Sequence, residues 1–224
     1  MATKYSELGA ADMRAAMIDS QLRTSDVIDP AVIGAMGSVA REAHVPAALA
    51  GVAYMDRAIG LDDGRALNPP LVTGRMLVTA AVEPGARVLV IGAATGYLAA
   101  LLAALGADVY AVEENPTLLA AGRRATDGGA HAAAIHWIEG PLTAGAPDAA
   151  PFDRIIIDGA IETLPDAIAA QLADGGRLVG ARRDGAVTRL IQGVKTAGTL
   201  TLRAFADMDV APLPGFAAVR GFEF

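Results

Sequence analysis

Cysteine is absent from the chain, and this absence excludes disulfide bonds, thiolate nucleophiles and zinc sites built on cysteine. Aromatic residues make up only 4% of the sequence, so alanine, valine, leucine and isoleucine must build the interior. The longest apolar run, Tyr97 to Leu105, is far shorter than the ~20 residues needed to span a bilayer. The stretch from Met1 to Met13 lacks the apolar run of a secretory signal. We therefore expect a cytoplasmic protein without a membrane span.

The chain also has fewer basic than acidic residues. The formal net charge is -7, which opposes non-specific attraction to the phosphate backbone of nucleic acids. The sequence therefore predicts no nucleic-acid partner, although a local basic patch stays open. The three histidines, His44, His131 and His136, have neither cysteines nor clustered carboxylates beside them, and this predicts no metal site. The oligomeric state is left open.

The chain has ample apolar material for one large domain, because 53% of its 224 residues are hydrophobic. Upstream of Arg87, apolar residues recur at helical spacing, and Asp29-Pro30 predicts an N-cap followed by proline at the first helical position. Tyr54 to Pro70 lacks any period and predicts an ordered loop. The predicted helices are residues 13–22, 30–37, 71–82, 97–105, 116–126 and 164–172.

Short apolar runs alternate with helices from Arg87 onward. The predicted strands are residues 87–91, 108–112, 134–138, 152–157, 177–181, 187–194 and 200–210. Such alternation implies a parallel sheet with helices on both faces, so we predict an α/β fold with a doubly wound, Rossmann-like sheet and an N-terminal helical segment. Ligands of such sheets bind at the carboxyl ends of the strands.

A strand followed by a small-residue turn and a helix, Val88 to Tyr97, is the strongest local motif. The next strand ends at Glu113, whose carboxylate can accept both hydroxyls of an adenosine ribose. A dinucleotide fingerprint needs glycine where this chain has Ala94 and Tyr97. A looser Gly-x-x-x-Gly turn with an acidic strand end suits S-adenosylmethionine, which carries no phosphate. A turn that binds no ligand is the alternative.

Several short segments, in this order and spacing, resemble the protein-L-isoaspartate O-methyltransferase family from about Met17 to Leu213. The family patterns are Q-L-R, V-P-R-E-x-F-V-P, V-L-E-I-G-T-G-S-G-Y, V-Y-S-V-E and a closing F-V-P-L. The matching segments here are Gln21-Leu22-Arg23, Val39 to Pro46, Val88 to Tyr97, Val109 to Glu113, Phe152-Asp153 with Ile155 to Ile157, Gln171-Leu172, Gly175 to Val179 and Val210 to Leu213.

The resemblance implies a methyltransferase that uses S-adenosylmethionine and acts on a peptide or protein carboxylate. It divides the predicted single domain, residues 1–224, into N-terminal helices with a substrate loop (1–84), a cofactor-binding core (85–185) and C-terminal strands (186–224). The implied cofactor-binding residues are Gly92, Ala93, Ala94, Thr95, Gly96, Tyr97, Glu113, Glu114, Gly140 and Asp158. The implied substrate-binding residues are Ala66, Leu67, Asn68 and Pro69, with Asn68 as the catalytic contact.

The chain departs from the family pattern where the chemistry lies. The family's substrate loop Q-T-I-S-Q-P is here Arg65 to Pro70, so its Thr becomes Ala66 and its functional Ser becomes Asn68. Val90 replaces an acidic residue and Ala94 a glycine, the Asp of a G-D-G motif is lost beside Gly140, and Asp158 replaces a small or hydroxyl residue. Further from this loop, His44 replaces an aromatic residue, which favours a packing role, and a core position is favoured for Trp137.

These departures leave three functions open. A carboxylate acceptor with a pKa of about 4 is already ionised at neutral pH, so methyl transfer requires alignment and exclusion of water rather than a general base. Asn68 could donate an amide N–H to such an acceptor. The chain is thus expected to be an isoaspartyl-type methyltransferase, with a methyltransferase for another acceptor or a non-catalytic interaction protein of the same fold as alternatives.

Overall fold

A computed structural model describes residues 9–218. The two ends of the predicted single domain, 1–8 and 219–224, lie outside the described residues, as does most of the N-terminal stretch in which no secretory signal was expected. The division of the domain into three parts stays a prediction. Among the described residues, no helix is long and apolar enough to cross a membrane.

Within residues 9–218 the chain forms six α-helices, two of which have a side-chain cap. Asp29 caps the second helix by accepting hydrogen bonds from Ala31 N and Val32 N, and Asn115 caps the fifth in the same way. Proline occupies the first helical position in both helices, as predicted. The helices are α1 Ala10–Met17, α2 Pro30–Ser38, α3 Pro70–Ala80, α4 Tyr97–Ala104, α5 Pro116–Thr126 and α6 Asp166–Ala170. A π-helical turn, Ile18–Leu22, continues α1.

In the described part of the chain, ten strands form a hairpin and one large sheet. The strands are β1 Ile59–Gly60, β2 Ala66–Leu67, β3 Arg87–Ile91, β4 Asp108–Glu113, β5 Ile135–Glu139, β6 Phe152–Ile161, β7 Leu172–Asp184, β8 Val187–Thr196, β9 Thr199–Leu200 and β10 Arg203–Asp207. The large sheet has the order β10-β8-β7-β6-β3-β4-β5, and β9 pairs with β8. Strands β3 to β7 are parallel, whereas β8 and β10 continue the sheet antiparallel.

The strand order reverses at β3, which lies between β4 and β6. Val88 to Ile91 of β3 are fully buried, as expected for a strand covered by helices on both faces. One apolar cluster packs the N-terminal helices, α3 and α4 on one face of the sheet, and a second cluster packs α6 on the other. The carboxyl ends of β3, β4 and β6 therefore meet where a ligand crevice forms in such sheets.

Three predicted elements were wrong in part. The stretch from Tyr54 to Pro70 contains the β1–β2 hairpin, whose strands of two residues each are too short to show a period. Residues 164–172 form only the short helix α6, and the C-terminal residue of this stretch already begins β7. Residues 200–210 are divided between β9 and β10, because the chain breaks its pairing after Leu200.

Candidate active site

The turn that joins β3 to α4 has a left-handed backbone. Gly92 and Gly96 both have φ of +81°, and Ala94 between them has φ of +47°. Glycine adopts such angles without steric cost, which explains the two glycines of the motif. The N–H groups of Gly92 and Ala93 donate to Val112 O at 3.1 and 3.0 Å, and these bonds hold the turn against the end of β4.

Glu113, the last residue of β4, has no exposed surface. Its Oε2 accepts a 2.7 Å hydrogen bond from Ala94 N, and its Oε1 accepts bonds from Glu114 N at 3.1 Å and Asn115 N at 3.0 Å. The backbone N–H of Gly140 donates to Glu113 O at 3.2 Å, which places this predicted cofactor residue beside the same strand end. The glycine-containing turn, Glu113 and Gly140 thus come together as the sequence predicts.

Arg65 of the β1–β2 hairpin completes the surroundings of Glu113. Its Nη1 donates to Glu113 Oε1 at 2.8 Å and its Nη2 donates to Gly92 O at 3.1 Å. Its side chain is 5% exposed. The exposed turn Asp62-Asp63-Gly64 carries it into this position, with Leu61 N bonded to Arg65 O at 2.8 Å. The guanidinium covers the carboxylate that the sequence assigns to the cofactor.

A cavity of about 300 Å³ lies outside this ion pair. Its lining residues are Asp63, Arg65, Glu114, Asn115, Pro116 and Pro214. Asn115 Nδ2 donates to Asp63 Oδ2 at 3.2 Å across its mouth, and Glu114 Oε2 accepts from Leu142 N at 3.4 Å. The predicted cofactor residue Glu114 therefore borders the open cavity, whereas Glu113 lies behind the Arg65 guanidinium.

Asn68 and Asp158 form a second buried polar pair. Asn68 Nδ2 donates to Asp158 Oδ1 at 2.8 Å, and Asn68 Oδ1 accepts from Ala211 N at 3.1 Å. Burial raises the pKa of Asp158, although the hydrogen bond from Asn68 and the charges of Arg65 and Arg41 oppose the rise. Asp158 lies within β6, which extends to Ile161, rather than at the end of the strand. The amide expected to face an acceptor is bonded inside the protein here.

A C-terminal segment, residues 210–216, crosses the carboxyl edge of the sheet, and we call it the strap. Ala160 N donates to Ala211 O at 2.7 Å, and Leu213 N donates to Ala160 O at 2.9 Å. The Leu213 side chain lies on Gly92 so closely that a Cβ added there would be 2.8 Å from Leu213 Cδ2. The strap therefore covers the first glycine of the turn.

Arg41 is a buried charge that the sequence prediction missed as an individual site residue. Its Nε donates to Ala53 O at 2.7 Å and its Nη2 donates to Asn68 O, so it holds the predicted substrate loop by the backbone of Asn68. Burial lowers its pKa. Its Cζ lies 4.8 Å from the ring centroid of Tyr97.

Two predicted cofactor residues direct their side chains away from the carboxyl edge. Thr95 Oγ1 donates to His44 O at 2.6 Å, while the ring of Tyr97 lies against Arg41 and His44. These contacts anchor the N-terminal segment to α4, and a role of Thr95 and Tyr97 in cofactor binding stays a prediction. Their backbone atoms belong to the turn between β3 and α4 and to the first residue of α4.

The other predicted substrate residues lie in the elements on either side of Asn68. Ala66 and Leu67 form β2, and Pro69 is the N-cap of α3. His44 is 3% exposed and its Nδ1 contacts Thr95 O at 2.6 Å, which confirms its packing role. No group of three or more potential metal ligands occurs within residues 9–218.

The donor set fits S-adenosylmethionine, although Arg65 and Leu213 cover these groups in this conformation. A ribose requires a carboxylate at a strand end, and Glu113 provides it. A methionine tail requires a close approach to the backbone, which the left-handed turn from Gly92 to Gly96 allows. Arg65 takes the carboxylate and Leu213 covers Gly92. A ligand that contacts both the Glu113 carboxylate and the backbone of Gly92 therefore requires both side chains to shift.

Comparisons with known proteins agree with this architecture. The family model of protein-L-isoaspartate(D-aspartate) O-methyltransferase matches residues 13–209. A protein-L-isoaspartate O-methyltransferase of Methylorubrum populi is 42% identical over 166 residues, which cover 74% of this chain and 77% of that protein. Another, from Koribacter versatilis, is 36% identical over 215 residues and covers 96% of each chain.

A solved structure shows the same fold. A Plasmodium falciparum protein, described as a protein-L-isoaspartate O-methyltransferase and solved with S-adenosyl-L-homocysteine, superposes with a TM-score of 0.79 at 17% identity. The match covers 92% of this chain and 99% of that one. It confirms the predicted doubly wound methyltransferase fold. The chain belongs to the protein-L-isoaspartate(D-aspartate) O-methyltransferase family, a family of S-adenosylmethionine-dependent enzymes, as the sequence resemblance predicted.

Proposed function

We propose that this chain transfers the methyl group of S-adenosylmethionine to the free carboxylate of damaged aspartyl residues in peptides or proteins. The observation that carries the proposal is the position of Glu113, which is bonded to the left-handed turn through Ala94 N at 2.7 Å. A carboxylate fixed in this way is pre-organised to accept the two hydroxyls of a ribose. Family membership supplies the reaction class.

S-adenosylmethionine, when bound, supplies an activated methyl group on a sulfonium. In this proposal Glu113 holds the ribose, the backbone of Gly92 to Gly96 borders the methionine end, and Glu114 and Gly140 border the adenosine. The acidic residue that the family carries in β3 is replaced by Val90, which is fully buried. Asp158 is the buried carboxylate that takes over contact with the methionine ammonium in this proposal. Its site already accommodates positive charge, because the charges of Arg65 and Arg41 act on it.

The acceptor carboxylate needs orientation and a dry environment. An aspartyl carboxyl has an unperturbed pKa of about 3.9, so it is ionised at neutral pH and no residue has to remove a proton. We place Asn68 beside the acceptor, where its amide N–H groups would orient the carboxylate after release from Asp158. The hairpin and the strap would exclude water from the same place.

A methyltransferase for another acceptor is the second candidate. It is favoured by the side chains of the substrate loop, because Ala66 and Asn68 stand where the family has two hydroxyl residues. An amide presents donors of a different reach and direction from a hydroxyl. A cytoplasmic location and the absence of a nucleic-acid partner remain proposals that rest on composition.

Methyl transfer to synthetic peptides tests the proposal. The purified protein is incubated with S-adenosylmethionine labelled in its methyl group and with a peptide that contains isoaspartate. The same peptide with ordinary aspartate serves as the acceptor control. We expect label only in the isoaspartyl peptide, with loss of transfer in Glu113→Gln and normal transfer in the surface variant Glu83→Gln.

The outcomes separate the candidates. Label in neither peptide, together with normal cofactor binding, contradicts the isoaspartyl acceptor and favours the second candidate. Absence of cofactor binding by folded protein contradicts both candidates and favours a non-catalytic interaction protein.

A further inference from the structure

The hydrogen-bonding capacity of Glu113 Oε1 is already used within the protein. This oxygen accepts from Arg65 Nη1 at 2.8 Å, from Asn115 N at 3.0 Å and from Glu114 N at 3.1 Å. A carboxylate oxygen offers two lone pairs, which these three donors already share, so a ribose hydroxyl cannot reach this oxygen while Arg65 is in place. The two backbone donors are Glu114, which directly follows β4, and Asn115, the N-cap of α5. Arg65 is the partner that can leave without breaking the sheet.

Arg65 separates the Glu113 carboxylate from the cavity that opens to solvent. Its side chain lines the cavity of about 300 Å³ on one side and covers Glu113 on the other. Glu113 is 0% exposed, so a ligand that enters the cavity meets the guanidinium before it meets the carboxylate. The exposed turn Asp62-Asp63-Gly64 is the outer part of the same hairpin.

Position 65 is one of the places where the chain departs from the family pattern. The family's loop begins with glutamine, a neutral and shorter side chain, whereas this chain has arginine. Two N–H donors of its fork reach Glu113 and Gly92 O at once, an arrangement that neither an amide nor an ammonium reproduces.

We propose that Arg65 is an internal competitor of the cofactor: its guanidinium and the ribose hydroxyls of S-adenosylmethionine bind the same carboxylate, so cofactor binds only when Arg65 leaves Glu113. The inference rests on the proposed cofactor site. It makes Arg65 a residue that lowers cofactor affinity in this chain, because the apparent dissociation constant equals the intrinsic one divided by the fraction of molecules in which Glu113 is free.

The cavity offers the displaced guanidinium a new position. The carboxylates of Asp63 and Glu114 both line it, so Arg65 can exchange one anionic partner for another without entering the core. Asn115 Nδ2 already donates to Asp63 Oδ2 at 3.2 Å, which keeps that carboxylate beside another residue of the cavity lining. Such an exchange avoids the cost of leaving a buried charge without a partner.

Titration of the protein with S-adenosylhomocysteine by calorimetry tests the competition without any need for turnover. Arg65→Gln restores the family residue and keeps a donor near Glu113. We expect it to bind S-adenosylhomocysteine at least tenfold more tightly than the unmodified protein. Arg57→Gln removes an exposed arginine of the same segment and is expected to leave the affinity unchanged.

Equal binding by the unmodified protein and by Arg65→Gln overturns the competition but leaves the cofactor site intact. No binding by either protein, with both folded, overturns the cofactor site and the competition together. The two outcomes can be told apart, because S-adenosylhomocysteine binds measurably in the first and does not bind in the second.

NMR of the unmodified protein, labelled with ¹⁵N-arginine, keeps the inference testable if Arg65→Gln does not fold. Arg41 and Arg65 are buried, so their guanidinium protons exchange slowly with water. We expect S-adenosylhomocysteine to remove the protection of Arg65 and to leave that of Arg41, the internal reference. Bound ligand with an unaltered Arg65 signal overturns the proposal.

Discussion

Arg65 Nη1 lies 2.8 Å from Glu113 Oε1, and the two side chains are 5% and 0% exposed. The pair ties the β1–β2 hairpin to the carboxyl end of β4. A buried pair gains from mutual attraction but has lost the hydration of both charges, so its net contribution to stability is small. Removal of one partner alone is costly, because the other charge then stays buried without compensation.

Arg65→Ala should lower the free energy of unfolding by about 3–5 kcal/mol, the usual cost of breaking a buried ion pair. The double variant Arg65→Ala/Glu113→Gln should lose less than the sum of the two single variants, because it leaves no unpaired charge. Urea denaturation at neutral pH measures all four free energies.

Arg23→Ala is the matched control for this cycle. Arg23 pairs with Asp19 at 3.5 Å on the surface, where both side chains are more than half exposed. Its removal should cost about 0.2–1 kcal/mol, as for exposed ion pairs. An Arg65→Ala protein as stable as Arg23→Ala would contradict the buried ion pair.

Asp158→Asn should make stability less dependent on pH in the acid range. Burial raises the pKa of Asp158 above its ordinary value of 3.8, so the native state binds this proton more tightly than the unfolded state does. The stability contributed by the protonated form is present below 3.8 and is lost as the pH rises through the native pKa. The advantage of Asp158→Asn over the unmodified protein should therefore grow over that interval and stay constant above it.

Urea denaturation at a series of pH values measures this difference. The side chain of asparagine keeps an acceptor for Asn68 Nδ2, so the fold is preserved. The exposed variant Asp148→Asn provides the control and should show no such trend. A stability difference between Asp158→Asn and the unmodified protein that is independent of pH would show that Asp158 titrates normally.

His44→Phe should remove a loss of stability on acidification. Burial lowers the pKa of His44 from 6.5, and the charge of Arg41 lowers it further, while the bond to Thr95 O opposes the shift. The unfolded state then binds this proton more tightly, so stability is fully present above 6.5 and falls as the pH drops through the native pKa. Phenylalanine is the aromatic type that the family carries here.

Thermal unfolding between pH 5 and 8 checks this prediction. The melting temperature of the unmodified protein should fall on the acid side, and that of His44→Phe should fall less. His131→Phe, at an exposed position, should follow the unmodified protein. Parallel curves for all three proteins would contradict the assignment of this titration to His44.

Gly122→Ala should destabilise the protein by about 1–3 kcal/mol, because over-packing in a closed interface forces neighbours to move. The ring of Trp137 lies directly on Gly122 of α5, so an added Cβ overlaps it. Gly34→Ala is the matched helical control, since nothing lies within 4 Å of a Cβ there. That variant should gain about 0.5–1 kcal/mol from the better helix propensity of alanine. Chemical denaturation compares the two, and equal signs would contradict the packing.

The sequence predicted those helices and strands in which the local residue preferences agree with the tertiary packing. Asp29-Pro30 and Asn115-Pro116 began helices because cap and first-turn requirements are local. The buried strands β3 and β6 follow from continuous apolar runs. The β1–β2 hairpin was missed because two-residue strands have no measurable period, and the division of 200–210 depends on pairing with β8.

The candidate site was predicted only in part for a similar reason. Glu113 and the glycine-containing turn have a recognisable spacing, and the structure brings them together. The partner of Glu113 is 48 residues away along the chain, and the pairing depends on how the hairpin folds back over β4. The one available clue was Arg65 in place of the glutamine of the family's loop, a charge gained beside a predicted buried carboxylate.

A crystal structure of the protein with S-adenosyl-L-homocysteine tests the account most directly. We predict ribose hydroxyls on Glu113, the Arg65 guanidinium moved outward toward Asp63 and Glu114, and the bond from Ala94 N to Glu113 retained. A structure in which the ligand is bound elsewhere while Arg65 still holds Glu113 would contradict both the cofactor site and the competition.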